Sequence, residues 1–406
     1  MTKRSSGSNS KTLAGVLSAI FILLVALAAD YFLGIDILNP EEEDGDSEQQ
    51  VVSETVASGE WYSLYFTEPL ETSDRTQHTG SAVEAALIES IDGATQTIDA
   101  ALFELNLASV TEALIRARDR NVTVRLVLDD DHMVLDDEST IDMLREDGMV
   151  VYCEDSEERP NNYDIRCDDR GAFMHNKFFI IDSSIVWMGS MNLTHNGVYN
   201  NNNNFIRINS SRLATNYQNE FDEMFEDGIF TDRDDPENTP FRRLTINGIL
   251  VETYFSPEDG ELIEERIVEL IQGADTSIAM LVNIVTLESI GDAAVDRFND
   301  DVDVRAVFES RGSSQGEMVT LACAGVPVRE DGNRAYTFHH KAIVIDGEIV
   351  ITGSYNFSAS ARDDNSENVL IIHSPEIAEQ YLAEFERRFN DPDAEDPMAE
   401  GLSCPN

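Results

Sequence analysis

The sequence predicts an α/β protein built from two similar halves, each a mixed sheet flanked by helices, packed about a pseudo-twofold axis. Two observations carry this. Apolar β-branched runs such as Val122–Leu128 read as buried strands, and they alternate with stretches such as Ser81–Ile91 and Ser109–Asp119, where apolar residues recur at helical spacing. The whole pattern also occurs twice. "YFTEP" from Tyr65 corresponds to "YFSPE" from Tyr254, "IDGATQTIDAALFEL" from Ile91 to "IQGADTSIAMLVNIV" from Ile271, and "VTVRLVLDD" from Val122 to "VDVRAVFES" from Val302.

Taken in order, residues 1–38 read as an export signal or membrane anchor. Lys3, Arg4 and Lys11 precede an apolar run from Leu13 to Ala29, near the lower limit for a spanning helix, and the basic flank is expected to stay cytoplasmic. Ala26-Leu27-Ala28 would also suit a cleaved signal peptide. The body is therefore expected outside the cell, tethered to the membrane in one case and secreted in the other. An acidic linker (39–59) leads to the first half (60–232), a polar linker (233–245), the second half (246–392) and an acidic tail (393–406). With both halves in one chain, the expected state is a monomer with an internal pseudo-dimer.

Composition sets the environment. The chain has 78 acidic and 28 basic residues, a formal charge of −50, yet 42% of it is hydrophobic. That excludes a disordered acidic tail and leaves material for two cores. Only four lysines occur: Lys3, Lys11, Lys177 and Lys341. An acidic, lysine-poor surface reads as halophilic, because in molar salt the Debye length falls to about 3 Å and self-repulsion is screened. Net charge then excludes neither nucleic acid nor anionic lipid as a partner. Of the four cysteines, Cys153 and Cys167 bracket a polar, aperiodic stretch and are expected to form a disulfide closing a loop of about 15 residues. Cys323 with Cys404 is a weaker pairing, since four cysteines allow three connectivities. None has zinc-ligand spacing.

The two internal lysines lie in matching stretches, "MHNKFFIID" (Met174–Asp182) and "FHHKAIVID" (Phe338–Asp346). Strand alternation puts His175 and Lys177 on one face, and likewise His339 and Lys341. Asp182 and Asp346 fall at hairpin turns, the latter as Asp-Gly. The return strands end in "GSMN" and "GSYN", bringing Ser190 and Asn192, and Ser354 and Asn356, back toward the histidines. These stretches are offset by 164 residues against 180 for the upstream landmarks, so the first half holds 16 extra residues, with the cysteine-bracketed stretch as their place. Two histidines divide into a nucleophile and a general acid, whose proton demands are opposite. Two lysines and two amides can surround a tetrahedral anion, and lysine offers the compact charge that arginine's planar fork does not. No carboxylate cluster sits near, so the expected chemistry needs neither metal nor cofactor.

With H-x-K-x4-D and G-S-x-N present twice, the chain resembles the phospholipase D superfamily over about residues 60–390. The resemblance implies an α/β sandwich per half, an active site between the halves, and phosphodiester cleavage through a covalent phosphohistidine that water or an alcohol resolves. It makes His175 and His339 the nucleophile and acid pair. Lys177, Lys341, Asn192 and Asn356 become the phosphate cradle, with Ser190 and Ser354 in support and Asp182 and Asp346 structural. At the position where many relatives have an acid that orients the histidine, the second half has Glu367 and the first has Asn203. Pairing within each half, Glu367 with His339 and Asn203 with His175, would make His339 the more basic imidazole and leave His175 a neutral nucleophile. His340 is expected to be a bystander, and His78, His132, His195 and His373 ordinary surface residues. Phe103, Tyr199 and Phe357 are expected in core packing rather than stacked on bases. The segment "GSYNFSASARDDNSENVLII" looks most like the nuclease-type branch, which favours an exported nuclease. A phospholipase D or transphosphatidylase acting on lipid head groups is the alternative, and a non-catalytic surface binding protein the reading from another class.

Overall fold

The first sheet starts earlier than the repeat suggests. Thr55–Ser58 (β1), within the segment read as a linker, pairs antiparallel with Tyr62–Phe66 (β2). The computed structural model describes residues 55–58, 61–70, 75–134, 139–153, 160–230, 238–311 and 316–404. The signal or anchor segment and most of the acidic linker lie outside the described residues. Among those described, no helix is long and apolar enough to cross a membrane.

Beyond β2 the chain forms helix α1 (Ala82–Asp92), with the Ser81 hydroxyl accepting from Glu84 N as an N-cap. Strand β3 (Thr97–Leu102), helix α2 (Ala108–Asp119) and strand β4 (Thr123–Asp129), parallel to β3, follow. Then come β5 (Val151–Tyr152), β6 (Ile165–Asp168), the hairpin β7 (Lys177–Ile181) and β8 (Ile185–Gly189), strand β9 (Asn204–Asn209) and helix α3 (Ser211–Asp222). The second half repeats the series with β10 (Arg243–Ile246), β11 (Ile249–Ser256), α4 (Gly260–Gln272), β12 (Ser277–Val282), α5 (Glu288–Asn299) and β13 (Asp303–Phe308). It closes with β14 (Val328–Glu330), the hairpin β15 (Lys341–Ile345) and β16 (Ile349–Gly353), β17 (Glu367–His373) and α6 (Pro375–Phe389).

Strand order is β1-β2-β9-β8-β7-β3-β4-β6-β5 in the first sheet and β10-β11-β17-β16-β15-β12-β13-β14 in the second. The two agree strand for strand, except that the first ends in the additional β5. The extra residues of the first half are therefore an edge strand and the loop that Cys153 and Cys167 close, with Cα atoms 5.0 Å apart. Cys323 and Cys404 also pair, with Cα atoms 5.6 Å apart. Together with backbone bonds between Glu330 and Glu395, this bridge fastens the acidic tail to the second half.

Each sheet covers one face with its own helix pair. Val83, Leu87 and Leu114 of α1 and α2 bury against Ile98, Leu102 and Leu126, and Ile267 and Ala294 of α4 and α5 against Ile278 and Val304. The opposite faces share a core. Phe178 and Ile180 of β7, Ala342 and Val344 of β15, Tyr217 and Phe221 of α3, and Tyr381 and Phe385 of α6 belong to one buried cluster. Separating the halves would expose that cluster, which ties them together far more firmly than a polar interdomain contact would.

Candidate active site

The hairpins β7–β8 and β15–β16 deliver the matching histidine, lysine, serine and asparagine of each repeat. Asp182 and Ser183 have φ of 48° and 50°, and Asp346 and Gly347 have 54° and 64°. Positive φ at both turn positions is the geometry that suits a tight hairpin to the twist of its strands. Asp182 accepts from the backbone N–H groups of Thr95, Gln96 and Thr97 at 2.9, 2.7 and 3.0 Å. Asp346 accepts from those of Asp275, Thr276 and Ser277 at 2.9, 2.7 and 2.9 Å. Burial pushes both carboxyls up, but the donors outweigh it and hold them below the usual range. Both aspartates pin a turn at the strand end away from the histidines. At the other end of each hairpin sits a glycine. A Cβ on Gly189 would lie 2.3 Å from the Asn204 carbonyl oxygen, and one on Gly353 would lie 2.0 Å from that of Asn368. Only glycine lets the G-S-x-N segment run this close to the neighbouring strand.

The halves interlock through their histidine segments. His175 N donates to Ser366 O at 2.9 Å and Ser366 N to Phe173 O at 2.9 Å; in the mirrored pair, His339 N donates to Asn202 O at 2.9 Å and Asn202 N to Thr337 O at 3.0 Å. The residues that follow therefore cross over. Glu367 meets His175, its oxygens 2.9 and 2.8 Å from Nδ1, and Asn203 Oδ1 lies 2.9 Å from His339 Nδ1. The expectation that Glu367 orients His339 and Asn203 orients His175 is thus reversed. The cause is physical: just before β9 and β17, the backbone at Asn202 and at Ser366 pairs with the histidine segment of the opposite half. The crossing extends one residue further. Asn368 Nδ2 donates to Asn176 Oδ1 at 2.7 Å, while Asn204 Oδ1 lies 3.3 Å from His340 Nδ1. His340 is fully buried, with Nε2 3.2 Å from Glu384, so it is part of the interface between the halves.

Charge at the site is unusual for so acidic a chain. Lys177 is 0% and Lys341 1% exposed. Their ammonium groups donate to the carbonyls of His175 and His339 at 2.5 and 3.0 Å. Among the described residues, neither has a carboxylate within the 4.0 Å of an ion pair. Burial lowers Lys177 to about 8 against the pull of Glu367, Glu104 and Asp129. Lys341 is held well below its ordinary range by burial, and Lys177 adds to that. Burial also drives both imidazoles well below their usual values, and the two ammonium charges push the same way. Both histidines are therefore neutral before an anion arrives. Burial raises the wholly buried Glu367, the two ammonium groups pull it back down, and its contact with His175 Nδ1 makes the two titrate as a pair.

The remaining predicted residues divide. Asn192 Nδ2 donates to Glu104 Oε2 at 2.6 Å, and the buried Oδ1 atoms of Asn192 and Asn356 have no partner among the described residues. These unpartnered atoms are acceptors, so any donation to an anion falls to the Nδ2 groups, of which that of Asn192 already gives one hydrogen to Glu104. Ser190 and Ser354, fully buried, are already committed: Ser190 Oγ donates to Asn203 Oδ1 at 2.9 Å, and Ser354 Oγ accepts from Asn368 N at 3.0 Å. They hold the histidine-orienting segments.

Several neighbours escaped the sequence reading. Asp129 accepts from Met174 N at 3.0 Å and Glu309 from Phe338 N, so matching acids fix both histidine segments. Their equivalence was available in the 180-residue register. Phe103 does pack in the core, but its ring also lies 4.7 Å from that of His175 and 4.8 Å from Lys177 Nζ. His132 pairs with Glu104 near the site, and His373 with Glu252 at 2.7 Å. His78 and His195 stack on each other and on Tyr199.

Two sheets that share a core thus bring two imidazoles and two ammonium groups within electrostatic reach of one another, one of each from either half. The chain belongs to the phospholipase D-like domain family: the family pattern described as "Cardiolipin synthase, PLD-like domain" matches residues 87–225 and again 267–389. A curated relative, mitochondrial cardiolipin hydrolase of Xenopus laevis, is 32% identical over 139 residues, 34% of this chain and 65% of that protein. Phospholipase D of Rickettsia prowazekii is 34% identical over 134 residues, 32% of this chain and 64% of that protein. The chain thus spans just under two thirds of the length of these relatives. A crystal structure of phosphatidylserine synthase from Haemophilus influenzae is similar in fold, with a TM-score of 0.57 and 12% identity over 78% of this chain and 85% of that one.

Proposed function

We propose that the protein is an exported, salt-adapted phosphodiesterase acting through a phosphohistidine. The observation that carries this is the pair of buried ammonium groups with no carboxylate partner among the described residues, set beside two buried imidazoles. Such a pair is costly to bury and is repaid when an anion enters. Neutral His175 attacks phosphorus, forming an N–P bond as the P–O bond to the leaving alcohol breaks. Glu367 stabilises the positive charge that grows on the His175 ring. His339 takes up a proton as the anionic diester enters between the lysines, and gives it to the leaving oxygen. Asn203 holds His339 without adding negative charge, which keeps that imidazolium a ready acid. His339 then takes a proton from water or an alcohol, whose oxygen attacks phosphorus and breaks the N–P bond. Lys177 and Lys341, with the amides of Asn192 and Asn356, stabilise the charge on the phosphoryl oxygens.

The substrate that fits best is a glycerophospholipid, in keeping with the names of the relatives and of the matching family pattern. Nucleic acid is the second reading, favoured by the likeness of "GSYNFSASARDDNSENVLII" to the nuclease-type branch. The test is an assay in molar salt with chelator present, using phospholipid vesicles, DNA and RNA, and with His175→Ala and His339→Ala as controls. Cleavage of lipid that both substitutions abolish supports the reading. Activity that survives both would overturn the mechanism, and cleavage of nucleic acid alone would replace the substrate.

A further inference from the structure

The two walls beside the histidines differ. By register, Phe103 corresponds to Asn283, Glu104 to Ile284 and Phe173 to Thr337. Glu104 is therefore a carboxylate with no counterpart in the second half. Its Oε2 accepts from Asn192 Nδ2 at 2.6 Å and its Oε1 lies 3.2 Å from His132 Nδ1. The His132 ring packs edge-on to Phe103 at 4.1 Å between centroids, and Phe103 packs against His175 at 4.7 Å. Phe173, 36% exposed, packs on the Phe103 ring at 5.2 Å. The Glu104 and His132 side chains keep 24% and 30% of their surface exposed, so solvent and substrate reach them.

A carboxylate beside a phosphate cradle opposes the anion it must admit. Holding Asn192 does not by itself call for a charge, because Asn356 takes the matching place with Ile284 at the position of Glu104; supporting the Lys177 charge is a duty Glu104 shares with Glu367 and Asp129. We propose that Glu104 determines specificity: it receives an ammonium group carried by one ester substituent and turns away substrates that bring a second anionic group. The inference rests on the phospholipid reading and narrows it to zwitterionic glycerophospholipids of the phosphoethanolamine or phosphocholine kind. His132, Phe103 and Phe173 complete the wall with aromatic surface, which an ammonium group also favours.

Glu104→Gln tests this, because its amide oxygen can still accept from Asn192 while the charge is gone. The readout is kcat/KM on phosphatidylethanolamine and on phosphatidylglycerol vesicles, in molar salt. The ratio of the two should move toward phosphatidylglycerol by about tenfold, chiefly through KM, the size expected for one partly buried charge. Equal losses on both lipids, or an unchanged ratio, would reduce Glu104 to a positioning residue for Asn192 and overturn the proposal. If the unaltered protein cleaves neither lipid, the phospholipid reading itself falls and this inference with it, an outcome distinct from an unchanged ratio.

Discussion

Replacing Glu367 with Gln should disable His175 while leaving its orientation largely in place. The carboxylate is wholly buried, and both its oxygens lie within 2.9 Å of His175 Nδ1. The amide oxygen of Gln could still accept the Nδ1 proton, so the variant removes charge more than geometry. A positive charge developing on the ring about 4 Å from the carboxylate centre is stabilised by about 4 kcal/mol at an effective dielectric of about 20. That corresponds to a loss in kcat of about a thousandfold, with KM changed far less, since the charge develops in the transition state. Steady-state kinetics on the Gln variant, beside Asn203→Ala, give the comparison. Asn203→Ala removes the amide that orients His339, together with its bonds to Ser190 Oγ and Gly197 O, and should cost about tenfold to a hundredfold. A Glu367→Gln loss below tenfold, or a larger loss in Asn203→Ala, would refute the assignment of the carboxylate to the nucleophile.

Further outcomes follow from the lysines and the close strand contact. Because burial brings Lys177 down to about 8, kcat/KM should fall as pH rises through that value, when the free enzyme loses an ammonium charge. Lys177→Arg should carry a lower maximum but no such alkaline limb, since a guanidinium stays charged; an unchanged limb would assign it to another group. Gly353→Ala would set a methyl group against the Asn368 carbonyl, 2.0 Å away on an unmoved backbone, and should destabilise the fold by about 3 kcal/mol, read by denaturant unfolding in molar salt. Unfolding at the wild-type midpoint would mean that the strand yields freely there.

Much of the fold was legible because the sequence states it twice. The strand order is the same in both halves, and the added edge strand β5 with its cysteine loop falls where the change of register from 180 to 164 residues placed the extra length. The Asp-Gly signal at Asp346 predicted a tight turn whose φ angles Asp182 and Ser183 reproduce without the glycine. Local patterns failed where the halves touch. Nothing in the spacing of Asn203 and Glu367 says that each will bond to the other half's histidine, because that depends on backbone pairing of Asn202 with Thr337 and Ser366 with Phe173. His340 looked idle on a strand alternation that is correct, since its opposite face turned out to be the shared core. Glu104 was hidden because its meaning lies in a difference, a charge facing an isoleucine across a pseudo-axis.

The central claim is that His175, backed by Glu367 from the opposite half, is the residue that carries the phosphoryl group. Acid-quench trapping during turnover, followed by peptide mapping of the labelled enzyme under conditions that preserve phosphohistidine, tests it most directly. Label on His175 that persists in His339→Ala, where the first step is slowed but the second is blocked too, is the predicted result. Label on His339, or none on either histidine while product forms, would contradict it.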